Sequence, residues 1–383
     1  MTLRQPLWWS VGLMSAGIAI GHMQPGTLYL PAACLILLLA TAQHALHRGS
    51  GWLLLFFWFI FGAARISMEN TFSRQPSPLW EAIRAKTQIQ NDILATRMQE
   101  SGLQDDALSL APALLLGRRE QINPNTRQAY STSGAAHLLA LSGLHLGILY
   151  GLLHLLVIRR IRFSQWKWFA LPPLLLLIWG YALLAGMPLS LVRAAVMCSA
   201  VMTAALARRA LSAMHTLALS AWVILIISPS SLFSISFQLS FLAVFFILAT
   251  HQQAANSKGM LPRLCQAASV SAAAWLGTAP LAAYYFHTLP LLSIPLSMLL
   301  VPLTTLIVYL SLGILLWPAA PLAKLLSLLA GVQTRIVTWC AGLPGSVIGG
   351  LHPKPWHLLV VYTLLLLALV RLNTYREKRV FLR

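Results

Sequence analysis

Apolar residues run through this chain in long blocks separated by short polar or basic loops. A block such as "LPPLLLLIWGYALLAGM" (171–187) is apolar on every side when coiled as a helix, leaving no face for water. About 18–20 such residues rise far enough to cross a hydrocarbon layer ~30 Å thick. The pattern predicts spans near 7–22, 28–46, 51–66, 132–158, 168–187, 189–207, 211–228, 232–250, 266–286, 291–316, 321–341 and 356–371. The short alternating segments of a β-barrel are missing. The expected fold is therefore an all-α polytopic membrane protein with about 10–12 transmembrane helices. Lys324, Gln333 and Arg335 interrupt the 321–341 block, which leaves both a crossing and an interfacial helix open.

Composition agrees with this pattern: 58% of residues are hydrophobic and 9% charged. The formal charge is +19, and its placement is informative. Seven of the eight acids (Glu69, Glu81, Asp92, Glu100, Asp105, Asp106 and Glu120) fall between 67 and 131, balanced there by seven bases. Outside that window only Glu377 is acidic, so the excess cations act as topology signals. The basic loops 159–167, 207–210, 257–263 and 376–379 are expected in the cytoplasm, which puts 67–131 outside. Within that window, "SPLWEAIRAKTQIQNDILATRMQE" spaces Leu79, Ala82, Ile83, Ile89, Ile93, Leu94 and Met98 as one stripe of a short periplasmic amphipathic helix starting at Ser77-Pro78. The expected organisation is N-terminal membrane helices (1–66), an extracytoplasmic amphipathic linker (67–131), a core (132–316), then C-terminal helices with a basic tail (317–383). The N-terminal block has no A-x-A cleavage site and reads as a retained helix. Four scattered cysteines suggest neither a disulfide framework nor a zinc site, and no cofactor is expected.

The block at 132–158, "STSGAAHLLALSGLHLGILYGLLHLLVI", breaks the pattern by carrying His137, Ser142 and His145. Such groups at membrane depth are costly unless something uses or satisfies them. In one continuous helix they would lie at about 0°, 140° and 80°, sharing a face. Ser142-Gly143 also permits a kink or break that frees backbone groups beside a cavity. The plainer alternative is that the histidines brace neighbouring helices. Arg193, in "MPLSLVRAAVMCSA", keeps its charge inside a predicted span, and no predicted span holds a carboxylate. It either meets backbone carbonyls, a wet cavity or an anionic substrate, or snorkels at the outer interface. Gln238 and Ser240 in "FSISFQLSF" add polar capacity of a kind that helix–helix contacts use routinely. Cation channels and most proton-coupled carriers rely on intramembrane carboxylates, so an anionic cargo fits this chain better. A serine hydrolase is the competing class, with Ser142 and His145 one turn apart. However, Ala140 stands where rhomboid proteases have the first Gly of G-x-S-G. No Walker A motif occurs, so no ATP motor is expected within the chain.

"LLLGRREQINPNTRQAYSTSGAAHLLALSGLHLGILYGLL" (114–153) resembles the signature of the ComEC family, the inner-membrane channel of bacterial natural transformation. The likeness continues through "YALLAGMPLSLVRAAVM", "SPSSLFSISFQLSFLAV" and "GTAPLAAYYFHTLP". Departures are His215 and Ser297, where the family usually has Asn, and the short "ENTFSRQPSP" where members often insert an OB-fold. No H-x-H-x-D-H of the metallo-β-lactamase-like nuclease domain occurs. The resemblance implies a competence membrane domain passing single-stranded DNA inward, without catalysis of its own. It places His137, Ser142, Gly143, His145, Arg193, Gln238 and Ser240 along the path. A periplasmic DNA receptor, a cytoplasmic ATP-driven motor, a separate nuclease and self-association are the implied partners. Transport of another anion or a lipid-linked polyanion on the same fold stays open.

Overall fold

The computed structural model describes residues 6–23, 51–71, 78–153, 155, 164–207, 209–250 and 260–381; the expected span 28–46 lies outside the described residues. Fifteen α-helices carry the described chain. They are α1 Pro6–Met23, α2 Gly51–Thr71, α3 Pro78–Glu100, α4 Ala107–Leu116, α5 Pro124–Thr132, α6 Ala136–Leu139, α7 Gly143–Leu153 and α8 Ser164–Leu184. Then follow α9 Leu189–Leu206, α10 Ala213–Ile227, α11 Ile235–Thr250, α12 Met260–Phe286, α13 Ser293–Leu316, α14 Ala320–Ala341 and α15 Pro355–Phe381. Two three-residue strands, β1 Thr288–Pro290 and β2 Val347–Gly349, pair antiparallel with Leu289 opposite Ile348. The protein is an all-α polytopic membrane protein. Three described helices (α9, α13 and α14) are at least 18 residues long and apolar enough to span, and six shorter apolar helices accompany them.

The chain forms two compact units. The first joins Met1–Ala82 to Val196–Phe241. Here α1 lies against α2 through Gly17 and Gly21, four residues apart; a Cβ on either would strike the backbone of Phe59 or Ala63. Arg65, near the end of α2, donates Nη2 to the Ile226 carbonyl at 2.8 Å and to Ile227 at 3.1 Å, capping the C-terminal end of α10. Glu69 accepts from the Ser230 amide at 3.0 Å and hydroxyl at 2.9 Å, so this carboxylate anchors the turn after α10.

The second unit comprises Ile83–Ala195 and Leu242–Arg383. Its core packs Leu110, Leu114 and Leu115 of α4 among Leu300 and Ile307 of α13 and Leu326, Ala330 and Val337 of α14. The 67–131 window therefore holds, beside the amphipathic helix, a ten-residue apolar helix inside the core. Its length is too short to cross alone, and flanking helices supply its cover. Gln333 of α14 is fully buried and donates to Tyr130 Oη at 3.0 Å, while Thr304 donates to its Oε1 at 3.2 Å. That inward amide makes α14 an integral core helix. The inward stripe of α3 also differs from the expected one. Asn91, Ala95 and Met98 are buried, whereas Leu79, Ile89 and Ile93 are exposed. Asn91 explains the difference: its amide donates to the Leu116 carbonyl at 3.0 Å and the Leu184 carbonyl at 2.9 Å, closing the ends of α4 and α8. Hydrophobicity alone overlooks a stripe built around a polar clamp.

Candidate functional site

The expected 132–158 helix is broken. Helix α6 stops at Leu139, Ala140 is extended (φ −75°, ψ 126°), and helix resumes at Gly143. A break leaves backbone groups to be satisfied one by one. Ser190, two residues into α9, donates to the freed Leu141 carbonyl at 2.6 Å. Ser142 then starts α7 as an N-cap, its Oγ accepting from the Leu144 amide at 3.2 Å. His145 reaches back, its Nδ1 accepting from the Ser142 amide at 3.3 Å. This S-x-x-H arrangement is a capping box with imidazole in the place Glu or Gln usually takes. Because Nδ1 accepts, the neutral ring carries its proton on Nε2. His145 is 1% exposed, and that Nε2–H has no hydrogen-bond partner among the described residues.

Arg193 lies over the same helix start. It is the fifth residue of α9 and 5% exposed, so it is enclosed by protein and does not snorkel outward. A Cβ on Gly143 would come 3.0 Å from Arg193 Nη2, so the guanidinium occupies the space a side chain would need. Gly143 serves close approach here. The start of α7 carries its own partial positive charge, so the Arg193 cation and a helix dipole of the same sign meet at this point. Arg119, in the turn Arg119–Gln121, lies within electrostatic reach of His145. Burial, and next the Arg127 guanidinium, hold Arg119 below the usual arginine range. Neighbouring Arg118 instead pairs with Asp92 and donates to Asn91 Oδ1 at 2.9 Å, fastening the turn to α3. No Asp or Glu occurs between Glu120 and Glu377.

Seven residues were expected along one path, and the structure brings four together: Ser142, Gly143, His145 and Arg193. His137 is not on their face, because the break at 140–142 removes the helical phase that the angles assumed. Its Nδ1 donates to the Gly134 carbonyl at 3.0 Å, and Nε2 lies 3.5 Å from Ser297 Oγ on α13. Gly134 has φ 85° and packs on Pro290 and Ser293, which sets this turn against the start of α13. Gln238 and Ser240 belong to the first compact unit; Gln238 donates to the Leu232 carbonyl at 3.0 Å, six residues back. Sequence reading missed Ser190, Asn91, Arg119 and Arg127. The "GRRE" step after an apolar block was the available signal for Arg119; nothing local marked Ser190. Among the described residues no group of three or more His, Cys, Asp or Glu is placed to hold a metal.

A family model described as Competence protein matches residues 114–375, from the last turn of α4 into α15. ComE operon protein 3 of Bacillus subtilis (strain 168) is 34% identical over 207 residues, covering 53% of this chain and 25% of that protein. The chain thus matches about a quarter of that relative's length. No solved structure matches. The matched range contains the capped break, Arg119, Arg127 and Arg193, and it bears out the ComEC-type likeness of 114–153. The chain belongs to the Competence protein family.

Proposed function

We propose that this chain forms a path by which single-stranded DNA crosses the bacterial inner membrane into the cytoplasm during DNA uptake. The observation that carries the reading is the start of α7, where the guanidinium of buried Arg193 lies over Gly143 and buried His145 keeps an unpartnered Nε2–H, with Arg119 within electrostatic reach of His145 and no acid in the sequence from 121 to 376. A polyanion relieves that concentration of like sign, and phosphates accept from each donor. Family membership supplies the direction of the inference, and basic loops 159–167, 207–210, 257–263 and 376–379 orient the path inward.

The path is passive. A periplasmic receptor delivers the strand, a cytoplasmic ATP-driven motor pulls it, and a separate nuclease removes its complement; self-association of the chain is compatible with this scheme. Hydrolysis at Ser142 fits less well. Ser142 Oγ does lie 3.3 Å from His145 Nδ1, but it caps α7 at the Leu144 amide, and that nitrogen also accepts the Ser142 amide. A different polyanion would meet the same electrostatics, so the test has to use DNA. In a deletion strain complemented with Arg193→Gln, entry of labelled DNA into the cytoplasm should fall by about 100-fold, as for loss of a buried charge contact. Arg193→Lys, keeping charge without the fork, should fall less. Normal uptake by Arg193→Gln, at equal protein in the membrane, sinks the reading.

A further inference from the structure

The ribbon β1–β2 joins α12–α13 to α14–α15, and its chemistry differs from the helices around it. His287, just before β1, adopts φ 57°, a left-handed conformation that is unfavourable for a residue with a Cβ. Leu351 holds it there from both sides. The Leu351 amide donates to the His287 carbonyl at 3.1 Å, and His287 Nδ1 donates to the Leu351 carbonyl at 2.9 Å. The effect is to bring the His287 ring against that of His352, with centroids 4.5 Å apart and planes tilted by 51°. One turn onward Trp356 stacks on His357, with centroids 3.6 Å apart and planes at 28°. The His357 ring is itself fixed, its Nδ1 accepting from the Lys354 amide at 2.9 Å. His287, His352, Lys354, Trp356 and His357 are all exposed, and no acid lies in the sequence from 121 to 376.

We propose that this ribbon is a stacking platform on which bases of incoming single-stranded nucleic acid rest before the strand enters the path. The proposal rests on the DNA reading above. Flat rings already ordered in pairs offer π-faces to any base, and exposed Lys354 beside them can meet the backbone. An interfacial aromatic belt anchors with Trp and Tyr tips and needs no His held in a left-handed backbone by two hydrogen bonds, one of them to its ring. The ribbon also packs on the turn that leads into α6: Pro290 of β1 and Ser293 lie against Gly134, three residues before His137. Positive-inside orientation puts the loops 287–292 and 342–355 on the outer face.

The test is binding of fluorescein-labelled oligothymidylate, and of an abasic oligonucleotide of equal length, to the full chain in nanodiscs. Wild type should prefer the strand with bases. The double variant His352→Ala, Trp356→Ala should lose about 5- to 100-fold in affinity for oligothymidylate, the range for removing stacking of one base. Its affinity for the abasic strand should stay unchanged. His352→Phe with Trp356→Phe, which keeps the rings, should restore the preference. Equal losses on both strands overturn the platform, because the face then reads phosphate. No loss on either overturns it in favour of a lipid-facing belt. Failure of wild type to bind any strand removes the DNA reading itself, a result distinct from both.

Discussion

His145 separates capping from passage, because two substitutions preserve one and divide on the other. Glu and Gln are the usual partners at this position of a capping box, so both can accept the Ser142 amide that His145 Nδ1 accepts at 3.3 Å. Ala cannot, and it should cost about 1 kcal/mol of stability through the lost cap. Passage responds differently. A carboxylate at 145, two residues from the glycine that the Arg193 guanidinium lies over, adds a negative charge to this helix start. A phosphate approaching to ~6 Å would meet about 3 kcal/mol of repulsion at an effective dielectric of 20. That is about 100-fold in occupancy. Gln introduces no charge and retains an N–H donor. Transformation frequency in a complemented deletion strain, normalised to membrane protein by immunoblot, gives the passage readout. Thermal unfolding of detergent-solubilised protein gives stability. The expected order is wild type near His145→Gln, both far above His145→Glu, with Gln and Glu similarly stable and Ala less so. Efficient transformation by His145→Glu would show that no anion passes this point; early melting of His145→Gln would show that the capping account is wrong.

Two further outcomes follow from other contacts. Asn91→Ala removes two buried amide donations and the acceptor for Arg118, so it should lower stability by about 2–4 kcal/mol in thermal unfolding. Asn91→Asp should be worse still, since a carboxylate turned on the Leu116 and Leu184 carbonyls cannot donate; equal stability of the two variants would count against the clamp. An oligodeoxynucleotide at 100 times its Kd should stabilise the wild type by about 2.7 kcal/mol and shift its melting upward. Arg193→Gln should lose most of that shift, and an equal shift in both proteins would place binding away from Arg193.

Much of the helical layout was legible in the sequence, because apolar blocks of spanning length have few alternatives in lipid. The break beside Ser142-Gly143 was legible as well, since a polar-plus-glycine step in an apolar block is a weak point. Its consequence was not. Once α6 stops at Leu139, no fixed angle relates His137 to His145, and the two rings go to different neighbours. The capping box escaped notice because its fourth position holds His, where the usual signal is Glu or Gln. Asn91 was overlooked for a related reason: a search for apolar periodicity discards polar residues, yet this one faces inward to close two helix ends. The burial of α4 depends on α13 and α14, nearly two hundred residues later, which no local pattern can encode.

The choice of residues around α7 is hard to explain by stability alone. A fold selected only for firmness would place Glu at 145, gaining a stronger cap and a favourable charge at a helix N-terminus. Lys or Arg at 145 would strengthen attraction for an anion but could accept nothing from the Ser142 amide. Imidazole meets both demands: one nitrogen caps the helix and the other remains a neutral donor. On the proposed DNA path, neutrality would matter because the polymer must keep moving. A passing phosphate has to bind well enough to enter and loosely enough to leave, and a dense ring of full charges would hold it. One buried guanidinium beside an uncharged N–H and a helix dipole is a graded field of donors, suited to release as well as capture. The same reasoning bears on Gly143: a Cβ there would sit 3.0 Å from Arg193 Nη2, so the guanidinium would have to give way at the helix end.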